Sequence, residues 1–441
     1  MAATDHPDPA GERLGRTRAS EPICHRHQPN PGQSLPSSVL STDALGVAGW
    51  CEAGLDIAAL LFFPLLVLAP RGVAALLSLA GLSAAGLLMS SRRSRLNPAL
   101  SRAAVLLGCL LVWGSLSALW SVDPMRSLTV AVRLTGLFAV GITLLAATGS
   151  ITARGRMTLL LGVGLALGVG MALTELMTDG VLSSYFSDRA YQPARLNQAS
   201  MSFAILCLPI SGILVFHGYK ISGTLLAVAT AATVCFLAGT AAKAALIAGL
   251  PIALLLYRVG PIVARTAAVI SIIIIVTAPL SFARLEQLPT LTEGADDVKL
   301  SAGHRLLIWS FAGDRIAEQP LAGWGLDSSR AIPGGEDLIR AGEIWLPLHP
   351  HNAPLQLWLE LGVPGAVFFA LVIALAWWAL AEAHWPPLFF AAAGGSLTTA
   401  FVGCFATYGI WQEWWLGTLW FSLFLVSVMA HKVKVGTVGA G

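Results

Sequence analysis

Long apolar stretches recur along the chain, each close to the ~20 residues that a helix needs to cross a bilayer. About twelve can be distinguished. They cover residues 48–70, 72–90, 101–120, 127–148, 157–178, 198–217, 221–239, 242–258, 262–282, 363–382, 386–408 and 413–431. A helix satisfies all its backbone hydrogen bonds within one segment, as a membrane interior requires. The pattern therefore predicts an all-α polytopic membrane protein with about 12 transmembrane helices.

The gaps between these stretches divide the chain into five parts. Residues 1–42 are rich in Pro, Ser, Arg and His, a composition typical of a disordered tail. Nine predicted helices occupy 43–282, three occupy 363–431, and 432–441 form a second tail. Residues 283–362 form one large polar loop, in which short helices are predicted. An extended loop among tight turns is where binding and catalytic residues concentrate.

The composition agrees with a membrane protein and excludes a soluble globular domain. Hydrophobic residues make up 56% of the chain and charged residues 12%, about half the charged share of soluble domains. The six cysteines include no CxxC pair, so neither a thiolate zinc site nor a disulfide framework is expected.

The placement of Lys and Arg predicts the orientation, because cytoplasmic loops carry an excess of both. With a cytoplasmic N-terminus, eleven such residues lie on the cytoplasmic side: Arg92, Arg93, Arg95, Arg102, Arg154, Arg156, Lys220, Arg258, Arg265, Lys432 and Lys434. The short outer loops then hold five: Arg71, Arg126, Arg189, Arg195 and Lys243. This bias predicts that both termini face the cytoplasm and that the large loop faces outward.

The end of that loop reads HPHNAPLQLWLELGVPG, from His349 to Gly365. Asn352 is a good N-cap and Pro354 suits a first helical turn, so His351 is predicted to lie just before a helix N-terminus. Such a position favours an anion, and a neutral histidine beside an anionic group can act as a general base. The alternative is a structural histidine in a capping turn.

Metal binding is a further alternative for this stretch. His349 and His351 could act as ligands, with His304 as a third. However, no carboxylate or thiol stands at a recognisable ligand spacing, so no metal site is predicted.

A second stretch, GHRLLIWSFAGDRIAEQPLAGWGL, precedes it and starts at Gly303. It predicts an amphipathic helix over about 302–318, followed by a glycine-rich turn. Arg305 and Trp309 share one helical face at i, i+4 spacing. A guanidinium suits bidentate phosphate binding, although an ordinary solvated arginine is the alternative.

Two more cations are predicted at the outer face. Lys243 lies at the turn between two spans, and Arg195 precedes another. Taken singly, each fits a snorkelling residue at a helix end. Together with Arg305 and His351, they suit a lipid-linked pyrophosphate donor and a hydroxyl acceptor.

Two charges fall within predicted spans, Arg133 in RLTGL and Glu175 near an outer end. Intramembrane charges are functional candidates by default, and structural ion pairing or snorkelling is the alternative.

These residues resemble those of the O-antigen ligase and polymerase superfamily of bacterial surface-polysaccharide enzymes. His351-Asn352, nine residues and then GVPG are similar to the signature of O-antigen ligases and protein O-oligosaccharyltransferases. RLLIW followed by QPLAGWG resembles the family's arginine-containing helix and its glycine turn. ALWSVDPMRSL, residues 118–128, resembles an early outer turn of the family. The layout of about twelve spans with one late outer loop is also similar.

The resemblance implies a metal-independent, inverting glycosyltransferase of the bacterial inner membrane, without a cofactor. It would move a polysaccharide from undecaprenyl pyrophosphate to a lipid A-core sugar hydroxyl at the periplasmic face. His351 would be the catalytic base, and Arg305, Lys243 and Arg195 would bind the donor pyrophosphate. Lys243 stands where family members usually carry arginine, and it lacks the planar fork. His349, Asn352, Trp309 and Arg133 are expected to support the site.

Three other functions stay open from the sequence. A polymerase of the same superfamily would join repeat units on the lipid carrier, and a third relative glycosylates protein hydroxyls. A transporter of lipid-linked glycans also fits twelve spans, but transporters usually place polar sites at the bilayer midplane. The intact His-Asn signature favours the ligase.

Overall fold

The computed structural model describes residues 46–91, 98–186, 190–288, 300–340 and 342–438. The predicted tail at 1–42 lies outside these residues, as do Arg92, Arg93, Arg95 and Arg189 from the charge count. The regular secondary structure of the described residues is helical apart from one small hairpin, in which strand β1, Leu338–Arg340, pairs antiparallel with β2, Glu343–Ile344.

The fifteen described α-helices are numbered in chain order: α1 Val47–Leu68, α2 Gly72–Ser91, α3 Pro98–Leu116, α4 Pro124–Ala147, α5 Arg154–Met177, α6 Val181–Ser184, α7 Asn197–Phe216, α8 Lys220–Phe236, α9 Thr240–Val259, α10 Pro261–Val276, α11 Ala278–Ser281, α12 Leu300–Glu318, α13 Ala353–Ala381, α14 Pro387–Cys404 and α15 Glu413–Val438. Short 3₁₀ turns occupy Ser117–Leu119, Thr148–Ser150, Pro193–Leu196, Leu285–Gln287 and Ser329–Ala331.

The helices correspond to the predicted apolar stretches. Within the described residues, nine are long and apolar enough to cross a membrane. A pair bent by 63°, formed by α10 and the segment Ala278–Gln287, adds a tenth candidate, and the shorter apolar helices Lys220–Phe236 and Glu413–Met429 match the other two stretches. The prediction of an all-α polytopic membrane protein is confirmed.

Helices α9 and α14 pack antiparallel through close backbone contacts. A methyl group on Gly249 would overlap Thr399 Oγ1, and one on Gly394 would overlap Leu256 Cδ1. Small residues at such crossings let helices approach closely. Because later residues of α9 meet earlier residues of α14, the N-terminus of α9 lies beside the C-terminus of α14.

Helix α7 meets α14 in the same antiparallel sense. A methyl group on Gly212 would lie 3.3 Å from Ala392, and one on Gly403 would lie 3.1 Å from Met201 Sδ. The N-termini of α7 and α9 therefore share one end of the bundle with loop 405–412, which follows α14. The candidate site lies at this shared end.

The long polar segment builds a small hydrophobic core of its own. Ile308, Phe311, Ala312 and Ile316 of α12 form its helical face, at the spacing of an amphipathic helix. They pack with residues of α11, the hairpin region and the first turns of α13: Ala278, Ile332, Leu346, Leu355 and Leu359. This core fixes α12 against the start of α13.

A kink at Gly362 divides α13 into a short first helix and a long span. Gly362 has φ +62°, outside helical geometry, so the carbonyls before it lose their helical donors. The glycine turn predicted after α12 replaces them, because Trp324 N–H donates to Leu359 O at 2.9 Å and Gly325 N–H to Glu360 O at 2.8 Å. The Trp113 indole donates to Leu361 O at 2.9 Å.

Replacing Gly362 by alanine is expected to lower stability by about 2–4 kcal/mol. The positive φ disfavours a side chain, and a methyl group would overlap the Leu321 carbonyl oxygen. Thermal unfolding in detergent micelles measures the effect. Gly136→Ala is the matched control, since a methyl group there has no neighbour within 4 Å and α4 is helical. A Gly362→Ala protein that melts with the wild type would contradict this explanation of the kink.

Candidate active site

The turn before α13 presents His351 in a strained conformation. Its φ is +55°, which non-glycine residues rarely adopt and which clusters at functional sites. As predicted, Asn352 is the N-cap of α13, where its Oδ1 accepts from Leu355 N–H at 3.1 Å and Pro354 lies in the first turn. The Asn352 side chain is fully buried, and its Nδ2 has no partner among the described residues.

The tautomer of His351 follows from one hydrogen bond. Its Nδ1 lies 2.6 Å from the carbonyl oxygen of Thr407, in loop 405–412. A carbonyl only accepts, so Nδ1 carries the proton and donates it. Nε2 then holds a free lone pair, and it forms no hydrogen bond within the described residues. The nitrogen of His351 that can accept a proton is therefore Nε2.

Burial keeps His351 neutral. It lowers the pKa of His351 below its ordinary 6.5, and the bond to Thr407 opposes that shift, while Arg305 and His304 reinforce it. The imidazole is therefore uncharged at neutral pH, which is the form that can accept a proton.

His349 serves a different purpose from His351. It is 5% exposed, and backbone N–H groups of His351 and Gly409 face its Nδ1 and Nε2 at 3.1 and 3.0 Å. Burial, then His351, Arg330 and Arg305, lower the pKa of His349 to about 3. A neutral imidazole can accept at only one of its two nitrogens, so one of these backbone N–H groups is bonded to His349. This contact supports the turn, whereas Nε2 of His351 has no partner among the described residues.

The three histidines considered as metal ligands are engaged in other contacts. His304 Nε2 lies 2.9 Å from the carbonyl oxygen of Ile344, in the hairpin. Across the described ranges, no group of three or more His, Cys, Asp or Glu side chains could hold a metal ion.

Trp309 holds the turn from the side of α12. Its indole N–H donates to the Pro350 carbonyl, between the two histidines, at 2.8 Å. Its ring also packs edge-on against Phe282, with centroids 5.5 Å apart. The i, i+4 face predicted for Arg305 and Trp309 is therefore the face of α12 turned toward the His351 turn.

Arg305 lies half-buried beside this turn without an acidic partner. None of the salt bridges and hydrogen bonds among the described side chains involves its guanidinium. Burial lowers the pKa of Arg305, and Tyr408 of loop 405–412 opposes that shift. An arginine stays charged in proteins, and a desolvated cation without a counter-ion is costly. Such an arrangement favours an anionic ligand.

The other predicted cations share the same end of the bundle. Arg195 is exposed in the turn before α7, and Lys243 is half-buried in the first turn of α9. Neither forms an ion pair within the described part of the chain. The helix packing places them level with the end of α14, although no direct contact joins them to His351.

Arg133 and Glu175 have partners that fit the structural alternative. Arg133 forms a 2.6 Å salt bridge with Glu413 at the start of α15, and Glu175 accepts from the backbone N–H of Ser183 at 2.8 Å. Arg133 therefore stabilises the start of α15, the helix that follows loop 405–412.

Two parts of the site escaped prediction from the sequence, loop 405–412 and Arg330. Thr407 lies 56 residues beyond His351 and contributes only a backbone carbonyl, which no motif reports. Arg330 is exposed, forms no salt bridge within the described residues, and lies close enough to lower the pKa of both His349 and Asp327. In the sequence, only its position about one turn after PLAGWGL could have indicated Arg330 as a site residue.

The geometry therefore combines a neutral imidazole with a free nitrogen, a guanidinium without a counter-ion and a buried amide donor at one end of a helical bundle. Comparison with known families gives a match over residues 225–370, to the model described as O-antigen ligase. The chain carries an O-antigen ligase domain. The superfamily predicted from the motifs is confirmed.

Three similar proteins carry the name "Putative polysaccharide ligase". The one from Rickettsia conorii is 36% identical over 122 residues, 27% of this chain and 29% of that protein. Those from Rickettsia prowazekii and Rickettsia bellii are 37% and 35% identical over 122 and 140 residues, covering 26% and 30% of this chain and 29% and 33% of the relatives. The chain thus matches about a third of these relatives' length.

The O-antigen ligase domain contains most of the candidate site. Lys243, Arg305, His349, His351 and Asn352 lie within the matched residues. Arg195 and loop 405–412 lie outside them, so the domain needs flanking parts of the chain to complete the environment of His351.

Proposed function

We propose that this protein is an O-antigen ligase-type glycosyltransferase of the bacterial inner membrane. It moves a polysaccharide from undecaprenyl pyrophosphate to a sugar hydroxyl of lipid A-core at the periplasmic face. The observation that carries the proposal is the free Nε2 of neutral His351 beside the unpaired guanidinium of Arg305. A base for a hydroxyl and a cation for a pyrophosphate are the two groups that this transfer needs.

The proposed reaction is a single displacement. The acceptor hydroxyl gives its proton to His351 Nε2 as its oxygen attacks the anomeric carbon of the donor sugar. The bond from that carbon to the pyrophosphate oxygen breaks with its electron pair on the oxygen. Attack from the opposite face inverts the configuration, and no glycosyl-enzyme intermediate forms.

Positive charge stabilises the leaving group in this mechanism. Arg305 faces the developing charge on undecaprenyl pyrophosphate, and the buried Nδ2 of Asn352 offers a further donor at the start of α13. Lys243 and Arg195 are proposed to hold the donor's phosphates from α9 and the turn before α7, with Arg330 as a further cation near His349. Because side chains alone supply this charge, we expect chelators to leave the rate unchanged.

A lipopolysaccharide gel tests the proposal directly. A host lacking this gene is complemented with the wild-type gene or a His351→Ala copy. We expect the wild type to restore the ladder. In the His351→Ala strain, we expect unmodified lipid A-core and accumulated lipid-linked polymer.

The other outcomes identify the alternatives. A core carrying a single repeat unit would indicate a polymerase, because ligation would still proceed. An unchanged ladder in the deletion strain would overturn the ligase proposal and direct the test to other glycans, protein glycosylation or transport.

A further inference from the structure

Glu360 is a fully buried carboxylate in the short first helix of α13, two residues before the kink at Gly362. Its side chain is 0% exposed. Four groups donate to it: Asp327 N–H at 2.7 Å, the Trp411 indole at 2.6 Å, the Gln356 amide at 3.0 Å and the Ser329 hydroxyl. They come from the glycine-turn region, from α13 itself and from loop 405–412, so Glu360 joins three segments.

The same loop carries the hydrogen-bond partner of His351. Gln356, held by Glu360, accepts from Ile410 N–H through its Oε1 at 3.0 Å. Glu360 therefore restrains loop 405–412 twice, directly through Trp411 and indirectly through Gln356. Three residues before Ile410, the Thr407 carbonyl accepts from His351 Nδ1.

The hydrogen-bond donors around Glu360 explain why this residue is an acid. Backbone and indole N–H groups only donate, and the Gln356 amide has committed its oxygen to Ile410. Two acceptor oxygens are thus required at position 360. A buried polar network of this kind is rigid when complete and costly when one partner is mismatched.

We infer that Glu360 is a positioning residue, which fixes loop 405–412 so that the Thr407 carbonyl keeps Nε2 of His351 free and directed at the acceptor hydroxyl. Glu360 itself touches no substrate in this scheme. The inference rests on the proposed function, since His351 is the base of that reaction.

Glu360→Gln is the first variant. Its new amide N–H₂ confronts the N–H₂ of Gln356, so the loop loses its fixed position. We expect kcat to fall about 10²-fold, the size of effect that a misplacement of ~1 Å can have. The KM for the lipid-linked donor is expected to change less than about twofold, because Arg305 lies outside this network.

Exchanging Gln356 and Glu360 is expected to restore the kcat lost in Glu360→Gln. In the Gln356→Glu, Glu360→Gln double variant, the new amide at position 360 can donate to the new carboxylate and still accept from Asp327 and Trp411. The carboxylate at position 356 can accept from Ile410 N–H. We expect kcat to return to within about fivefold of the wild type. Failure of this exchange to restore kcat in a folded protein would overturn the positioning role.

Trp411→Phe provides a second test if Glu360→Gln does not fold. It removes one contact to the loop while retaining an aromatic ring, and we expect a kcat loss of about tenfold with KM unchanged. Trp378→Phe and Glu382→Gln are matched controls, because the Trp378 indole donates to Glu382 at 2.8 Å on an exposed surface. Equal losses in the control pair and the test variants would overturn the inference.

A spectroscopic measurement separates this inference from the proposed function. Nitrogen-15 NMR of histidine-labelled protein reports which ring nitrogen carries the proton, with His351→Gln identifying the signal. We expect the Nδ1–H form in the wild type, a mixture in Glu360→Gln and the Nδ1–H form again in the exchanged variant. An unchanged His351 signal in Glu360→Gln would overturn the inference, whether or not the wild type shows ligase activity.

Discussion

His351→Ala is expected to lower kcat by about 10²–10⁴-fold, the contribution of a positioned general base. The variant keeps the cations that we propose to bind the donor, so the KM for the lipid-linked glycan should change little. Rates are compared at equal amounts of membrane-inserted protein, with purified donor and acceptor. A wild-type rate in this variant would remove the general-base proposal.

His384→Ala is the matched control for this measurement. His384 is exposed between α13 and α14, at the end of the bundle opposite loop 405–412. Its replacement removes an imidazole without touching the site, and we expect the wild-type rate. A comparable loss in both variants would point to a general effect on folding or insertion.

The pH dependence of the wild type gives a second test of the same residue. Neutral His351 is the active form in the proposed mechanism, and burial lowers its pKa below 6.5. The rate constant kcat/KM should therefore stay level as the pH falls through 6.5 and decline only at more acidic values. A decline centred at or above pH 6.5 would indicate a solvated imidazole and contradict the buried arrangement.

Arg305→Ala is expected to reduce kcat/KM for the donor by about 10²–10³-fold, as the loss of one transition-state charge contact does. Arg305→Lys should recover part of this loss, since lysine keeps the charge and loses the bidentate fork. Kinetics at several donor concentrations separate binding from turnover.

Arg315→Ala provides the comparison for Arg305. Arg315 lies on the same helix, but it is paired with Glu318 at 2.7 Å and stacks over the Phe311 ring. A partly exposed surface pair of this kind contributes about 0–1 kcal/mol, so the rate should stay within about twofold of the wild type. If Arg305→Ala behaves like Arg315→Ala, Arg305 is an ordinary surface arginine.

Local patterns were sufficient for the helices and for the cap that follows His351. The apolar stretches predicted α1–α5, α7–α10 and α13–α15 because a spanning helix is specified by its own length and hydrophobicity. Asn352 and Pro354 predicted the start of α13 because a cap uses only neighbouring backbone groups. The i, i+4 spacing placed Arg305 and Trp309 on one face for the same local reason.

The choice between alternatives required contacts across the chain. Only the fold shows that His349 contacts the backbone N–H groups of the turn while His351 keeps Nε2 free, and that Arg133 has Glu413 as a partner. No pattern in the sequence distinguishes Glu360, because its four donors come from three separate segments.

The sequence by itself determined what depends on neighbouring residues: the spanning helices, the capped turn of His351 and the O-antigen ligase motifs. The tertiary structure decided which nitrogen of His351 is free, which cations lack partners and which carboxylate holds loop 405–412. The physical reason is that tautomer, ion pairing and burial depend on groups far apart in the chain, such as Thr407 and His351. Spacing along the sequence carries no record of those distances.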